Sequence, residues 1–232
     1  MEIYEQSKST TKTSLQSHMT KTFLWMFAGL AVTFGVAAYI NSNNQLMYDI
    51  YSSSYLWIVM MVAQFGVVIA LAARITKMKP MTARILFFAY AALTGVTFSV
   101  LGLTYELGTI GLAFAMAALY FGSLAVIGFT TKRDLSKIGT IAIAALFAMI
   151  VYSFITMIFG LSMNIFVYSI IGLVVFAGLT AWDVQKMKKL YYAYEGDEQM
   201  LNNLSIYSAF ELYLDFINIF LYILRILGNN RD

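Results

Sequence analysis

Seven long apolar stretches constrain this chain more than any other feature of its sequence. A helix needs about 20 mostly apolar residues to cross a bilayer, and the stretches approach or exceed that length. They are apolar on all sides and lack the short alternating pattern of a barrel strand, which favours helices. They run over Phe23–Ile40, Tyr55–Ala73, Ile85–Thr104, Thr109–Phe129, Ile138–Phe159, Ile165–Trp182 and Ile206–Leu227. The sequence therefore predicts an all-α integral membrane protein with seven transmembrane helices.

The composition excludes most classes of soluble protein. Of the 232 residues, 60% are hydrophobic and 12% are charged, whereas soluble domains carry about 25% charged residues. A soluble chain of this length has no way to bury so much apolar surface. A cytosolic enzyme, a disordered chain and a nucleic-acid binder are therefore excluded. The absence of Cys also excludes a disulfide framework and a cysteine nucleophile.

The basic residues predict the orientation of the chain in the membrane. Apart from Arg225 and Arg231, every Lys and Arg lies in the N-terminal tail or after the second, fourth and sixth spans. Because basic residues accumulate on the cytoplasmic side, we expect a cytoplasmic tail over residues 1–22 and one membrane domain over 23–229. An external C-terminus would place Arg225 and Arg231 outside, against this rule. A re-entrant last segment that returns to the cytoplasm is therefore the alternative. The compact connections favour a bacterial plasma membrane.

Polar side chains run along one side of the seventh predicted span. They recur every three or four residues, which is helical spacing, and so form one stripe. A stripe with two carboxylates and an arginine cannot face lipid and must face protein or a water-filled path. The alternative is an amphipathic helix lying in the membrane interface. This polar stripe consists of Tyr207, Glu211, Asp215, Asn218, Tyr222 and Arg225.

Two aspartates are the main candidates for a functional site. Asp183 ends the sixth span, and Asp215 lies about two to three turns into the seventh span, so both reach a similar depth. Two carboxylates in contact cannot both be ionised cheaply and would share a proton. Such a pair is a candidate pH sensor and a transient ligand for a divalent cation. Arg74, at the cytoplasmic end of the second span, is the basic residue at matching depth and a candidate latch.

Two structural alternatives and one enzymatic alternative accompany this interpretation. Asp183 would otherwise be a solvated carboxylate at a helix end, and Asp215 would be paired with a basic residue for folding. His18 is the only histidine and lies in the polar tail, so no histidine triad falls within the membrane. An intramembrane aspartyl protease is disfavoured because LYLDF lacks the glycines of that class. We expect no enzyme activity.

The segment LYLDFINIFLYILRILG, Leu212–Gly228, resembles the signature of the Bax-inhibitor family, also called the transmembrane Bax inhibitor motif family. The resemblance extends over Thr20–Asn229 and includes the basic connection after the second span and the carboxylate in AWDVQKM. It implies two three-helix layers around a central seventh helix. It also implies a passive calcium leak regulated by pH, with calcium as the transported ion and no resident cofactor.

The resemblance also implies roles for individual residues. Asp183 and Asp215 would form the pH sensor and hold calcium transiently, and Arg74 would be the latch. Related proteins carry an acidic partner in the middle of the second span, where this chain has Ala63 and Gln64. The secondary path or outer gate would then comprise Glu211, Asn218 and Arg225.

Three functions are consistent with these features. The leading one is a pH-regulated calcium leak channel gated by the aspartate pair. The second is a regulatory membrane protein, because bacterial family members resemble modulators of a membrane-anchored AAA protease; residues 1–22 would be the contact. The third is a proton-coupled carrier in which Asp183 and Asp215 relay protons.

Overall fold

The computed structural model describes residues 14–75 and 77–228, and this part of the chain is almost entirely helical. Within it the backbone forms nine helices and no β-strand. The helices are α1 (Leu15–Asn41), α2 (Asn44–Ser52), α3 (Ser54–Arg74), α4 (Pro80–Phe98), α5 (Leu101–Thr104), α6 (Leu107–Thr130), α7 (Ser136–Phe159), α8 (Ile165–Ala193) and α9 (Glu198–Gly228).

Six helical segments of the described residues are long and apolar enough to cross a membrane. They coincide with the first six predicted spans, the third of which comprises α4 and α5 together. The seventh predicted span lies within α9, whose 31 residues measure about 46 Å, longer than a bilayer core of about 30 Å. The structure is thus consistent with seven spans, six of them defined by length and composition.

The central position of α9 organises the fold. On one side α9 packs against α1 and α4, and on the other side it packs against α6 and α8. The first layer is completed by α3, which packs on α4, and the second by α7, which packs on α8. Two three-helix layers therefore surround the last helix, which confirms the predicted fold class.

Aromatic side chains hold α9 between the two layers. The Phe220 ring centre lies 5.6 Å from that of Phe34 on α1, and the Phe216 ring centre lies 5.3 Å from that of Phe114 on α6. Both pairs meet edge to face, a favourable geometry for aromatic rings. The buried hydroxyl of Tyr213 also lies 2.7 Å from the hydroxyl of Thr33 on α1.

The first helix begins earlier than predicted. Ser14 caps α1 by accepting a hydrogen bond from the backbone N–H of Ser17 at 3.1 Å. Residues 15–22 therefore belong to the helix, and the remainder of the expected tail, residues 1–13, lies outside the described residues. His18 is buried in α1 rather than placed in a polar tail.

The sixth predicted span ends later than expected. It continues as α8 to Ala193, so Asp183 lies inside a helix and not at its end. The polar residues that follow Trp182 do not end the helix. The chain turns only at Gly196, whose backbone φ of 98° is a conformation that favours glycine. The solvated helix-end interpretation of Asp183 is therefore wrong, since only 8% of its surface is exposed.

Candidate functional site: a polar cavity along the central helix

A cavity of about 1360 Å³ lies along α9. All six residues of the polar stripe line it. From Tyr207 to Arg225 the helix rises by about 27 Å, close to the thickness of a bilayer core of about 30 Å. The helices α7 and α8 supply much of the opposite wall, through residues such as Leu146, Tyr168 and Leu179. The polar residues of α9 thus face a cavity of roughly membrane length, and α9 is not an interfacial helix.

A cluster of four charged side chains lines one part of this cavity. We define the carboxylate cluster as Asp183 and Lys186 on α8 together with Glu211 and Asp215 on α9. The exposed fraction of Asp215 is 3%, and that of Asp183 is 8%. Asp215 lies within electrostatic range of the other three charges. The structure therefore brings the two predicted aspartates together with two further charged groups.

Both aspartates have one buried oxygen without a close hydrogen-bond donor. Oδ1 of Asp183 and Oδ2 of Asp215 are buried, with Lys186 Nζ 3.6 Å from the first and the Thr180 hydroxyl beside the Asp215 carboxylate. Burying a polar oxygen without a partner costs free energy. The burial of these two carboxylates is therefore costly for folding.

Lys186 bridges the two helices within the carboxylate cluster. Its Nζ lies 2.5 Å from Oε1 of Glu211 and 3.6 Å from Oδ1 of Asp183. The same ammonium lies 4.9 Å from the ring centre of Trp182 and 5.3 Å from that of Tyr207. Ring faces attract cations at such distances. One ammonium group therefore interacts with two carboxylates and two aromatic rings.

Arg74 is not part of this cluster. It lies in the last turn of α3, its side chain is exposed, and it forms no ion pair with any described residue. The helix α3 is the outermost member of the first layer, whereas Asp183 belongs to the second layer. In this arrangement the basic group beside the aspartates is Lys186 rather than the predicted Arg74.

The other end of the stripe carries Arg225 and Asn218. The Arg225 guanidinium lies 5.7 Å from the ring centre of Tyr222, and the Asn218 amide donates to the carbonyl of Leu214 in its own helix at 2.8 Å. Glu106, at the start of α6, lines the same cavity and is the acidic residue on this wall that the sequence reasoning did not select. In place of a carboxylate in α3, Gln64 donates to Thr94 at 3.4 Å.

Carboxylate groups in the described residues do not form a ready-made metal site. No group of three or more His, Asp or Glu side chains is placed to hold one ion in that part of the chain. Ca²⁺ usually takes six to eight oxygen ligands. The described carboxylates therefore do not match the full ligand shell of a resident Ca²⁺.

Lys186 is the main residue that the sequence reasoning missed. The sequence places it in the basic connection after the sixth predicted span, because that span is predicted to end at Trp182. Once α8 continues, Lys186 stands three residues after Asp183 and on the same face of the helix. Helical spacing would have found it if the boundary had been placed correctly.

The fold and the site define a class of protein: a helical membrane protein whose charged central helix is enclosed by two layers and lines a polar cavity. The chain belongs to the family described as Inhibitor of apoptosis-promoting Bax1, which matches residues 15–232. The resemblance found in the sequence is thus confirmed.

Similar proteins occur in several bacteria. A protein of Borreliella burgdorferi is 40% identical over 215 residues, which is 92% of each chain. The inner membrane protein YbhL of Escherichia coli K12 is 36% identical over 221 residues, 95% of this chain and 94% of YbhL. A membrane protein of Streptococcus pyogenes serotype M3 is 39% identical over 145 residues, 62% of each chain. The names of the last two relatives agree with a membrane protein.

Proposed function

We propose that this protein is a passive calcium leak channel of the bacterial plasma membrane whose flux depends on pH. The observation that supports it best is the polar stripe of α9, which lines a cavity of membrane length. Carboxylate and amide oxygens are ligands that Ca²⁺ prefers. Their small number along the stripe allows an ion to leave again, as conduction requires. With a cytoplasmic N-terminus, the carboxylate cluster faces the cytoplasm and Arg225 lies towards the outside.

The aspartate pair provides the pH dependence in this proposal. Asp183 and Asp215 interact electrostatically, and both are buried. Two such carboxylates cannot both be ionised cheaply and therefore share a proton. A change in protonation alters the charge along the path and shifts the balance between closed and open states. The aspartates are ion-path residues in this mechanism and have no catalytic role.

Arg74 enters the mechanism only through a movement of α3. In the arrangement described above, its helix is separated from α8 by the central helix. A latch between Arg74 and the aspartates requires the first layer to approach the second at the cytoplasmic side. The residue would then hold a different state of the channel from the one in which Lys186 contacts Asp183.

The test is calcium influx into liposomes that contain the purified protein, measured between about pH 5 and 8, where ordinary carboxylates stay ionised. We expect the wild-type flux to vary with pH and the Asp215→Asn profile to be flat, because the pair can no longer share a proton. Asp183→Asn should behave in the same way. If the flux of either variant varies with pH as steeply as that of the wild type, the aspartate pair is not the pH sensor.

Asp134 offers a matched control for the loss of one carboxylate. It is exposed, and hydrogen bonds from Lys189 and Ser136 lower its pKa to about 2. Because this pKa is depressed in the folded protein, the stabilisation is present above about pH 4 and is lost as the pH falls through about 2. Asp134 thus stays ionised throughout the assay, and Asp134→Asn should keep the wild-type pH profile.

The same assay separates the alternatives. Flux that is no greater than in empty liposomes at every pH would overturn the channel and favour the regulator of a membrane protease. Flux that saturates and is stimulated by counter-flow would identify a proton-coupled carrier instead. A leak shows neither property.

A further inference from the structure

Lys186 is the basic member of the carboxylate cluster, and the proposed leak assigns no task to it. We propose that its ammonium group is a tethered cation, which occupies the ion path at the carboxylates and must be displaced before another cation passes. The inference rests on the proposed function and names Lys186 as the residue that limits the cation flux.

The geometry places the ammonium where a transported cation would bind. Nζ of Lys186 contacts Oε1 of Glu211 at 2.5 Å and lies 3.6 Å from Oδ1 of Asp183. The side chain is 25% exposed and lines the cavity, so the ammonium is reachable from the path. The carboxylate oxygens that attract a divalent cation are therefore already engaged by a positive charge of the protein.

The surrounding charges leave few other counter-ions. Three carboxylates line this part of the cavity: Asp183, Glu211 and Asp215. Among the described lining residues the only cations are Lys186 and Arg225, and Arg225 lies about 15 Å along α9 from Asp215. Loss of the Lys186 charge would leave the cluster strongly negative and attractive to cations from the path.

The chemistry of lysine suits a displaceable group. An ammonium is a compact point charge on a flexible four-carbon stem, whereas a guanidinium binds a carboxylate through a rigid fork. Its contact with Asp183 is long, and Oδ1 of Asp183 has no hydrogen-bond donor among the described residues. The stem can therefore swing away from Glu211 when a cation competes for the oxygen, while the rings of Trp182 and Tyr207 still cover it.

The first experiment uses the wild-type protein in detergent and a water-soluble amine reagent, with modification of each lysine followed by mass spectrometry. We expect Lys186 to react slowly and to react several-fold faster when Ca²⁺ is added, because Ca²⁺ releases the ammonium from Glu211. Glu211→Gln should give the fast rate without Ca²⁺. Lys188, whose ammonium contacts Phe129 rather than a carboxylate among the described residues, is the internal control and should not respond. A Lys186 rate that is independent of Ca²⁺ would overturn the inference.

The second experiment measures calcium influx into liposomes for charge variants. We expect Lys186→Gln to raise the flux several-fold and Lys186→Arg to lower it, since a bidentate guanidinium is harder to displace. Lys188→Gln removes the same charge two residues away and should leave the flux unchanged. A merely structural ion pair predicts instead that Lys186→Gln lowers the flux or fails to fold, and that Lys186→Arg restores it.

The two experiments distinguish the inference from the proposed function. If Ca²⁺ accelerates modification of Lys186 but no variant conducts calcium, the ammonium is a displaceable cation and the leak is wrong. If the wild type conducts but neither the labelling rate nor the flux depends on Lys186 as described, the leak stands and the tethered cation is wrong. The labelling arm needs no substitution at Lys186, so misfolding of a lysine variant does not affect it.

Discussion

At the scale of single residues, two buried amide side chains fix the helices that carry the carboxylate cluster. Gln185, two residues after Asp183, donates to the carbonyl of Arg133 at 2.8 Å and accepts from the N–H of Leu135 at 2.9 Å. It ties α8 to the connection between α6 and α7. Both partners are backbone groups. These hydrogen bonds therefore fix the position of α8 next to the site, in addition to apolar packing.

Asn203 has the corresponding role for α9. Its amide donates to the carbonyls of Ile75 and Met78 at 3.2 and 2.8 Å. These carbonyls belong to the turn between α3 and α4, so Asn203 joins the central helix to the first layer. Gln185 and Asn203 together hold α8 and α9 at the end of the fold where the carboxylate cluster lies.

Replacement of Gln185 by leucine tests the first of these anchors. We expect Gln185→Leu to lower the free energy of unfolding by about 1–3 kcal/mol, because a buried N–H and a buried carbonyl lose their partners. Unfolding in detergent micelles measures the change. Gln45→Leu is the control, since Gln45 is exposed and, in the described part of the chain, its side chain donates to the exposed Asp49. Its effect should stay within about 0.5 kcal/mol. Equal losses for the two variants would contradict a structural role for Gln185.

At the scale of helices, two glycines allow α6 and α7 to approach α8 beside Asp183. A Cβ atom on Gly128 of α6 would overlap the backbone carbonyl of Ala181, and one on Gly139 of α7 would overlap the ring of Trp182. Small residues at such crossings let the backbones of membrane helices pack closely. The second layer is therefore tightly packed at the turn of α8 that carries the aspartate.

Substitution within α6 tests this close approach. We expect Gly128→Ala to lower the free energy of unfolding by about 1–3 kcal/mol, because the backbone of α8 must shift to admit a methyl group. Gly122→Ala on the same helix meets nothing within 4 Å and should be neutral or slightly stabilising. Thermal unfolding of both variants in the same detergent gives the comparison. If Gly122→Ala is the more harmful change, the crossing at Gly128 does not limit the packing.

At the scale of the whole molecule, the apolar surface outside the two layers is suited to lipid. In α3 only 6% of the membrane-length segment is buried, and α7 exposes large side chains such as Phe147 and Ile158. The charged helix, in contrast, lies at the centre. This distribution is the reverse of a water-soluble helical protein and agrees with a bilayer as the solvent.

Single cysteine substitutions test the orientation, since the natural chain contains none. With a cytoplasmic N-terminus, a membrane-impermeant maleimide should label Gln45→Cys in right-side-out vesicles and should label Gln199→Cys only after the membrane is opened. Both positions are exposed glutamines in helices, α2 and α9 respectively. The opposite pattern would mean that the chain is inverted and that the carboxylate cluster faces outwards.

Properties that depend on neighbours along the chain were predictable from the amino-acid sequence. Hydropathy over about 20 residues located the spans, and a period of 3.6 residues placed Tyr207, Glu211 and Asp215 on one face of the last helix. The need to keep charges from lipid then implied a central helix. Helix ends were less predictable: the polar start of α1 and the polar end of α8 are helical because no local signal stops them.

Contacts between helices depended on packing, which no spacing along the chain encodes. Arg74 and Lys186 both lie near the predicted depth of the aspartates, yet Lys186 contacts Asp183 while Arg74 is separated from it by the central helix. Depth in the membrane follows from hydropathy, but the lateral order of helices follows from the close approaches at Gly128 and Gly139 and the rings around α9. The amino-acid sequence thus identified the charged helix and its polar face, and the tertiary arrangement selected the groups that meet there, because lateral neighbours are chosen by shape and not by distance along the chain.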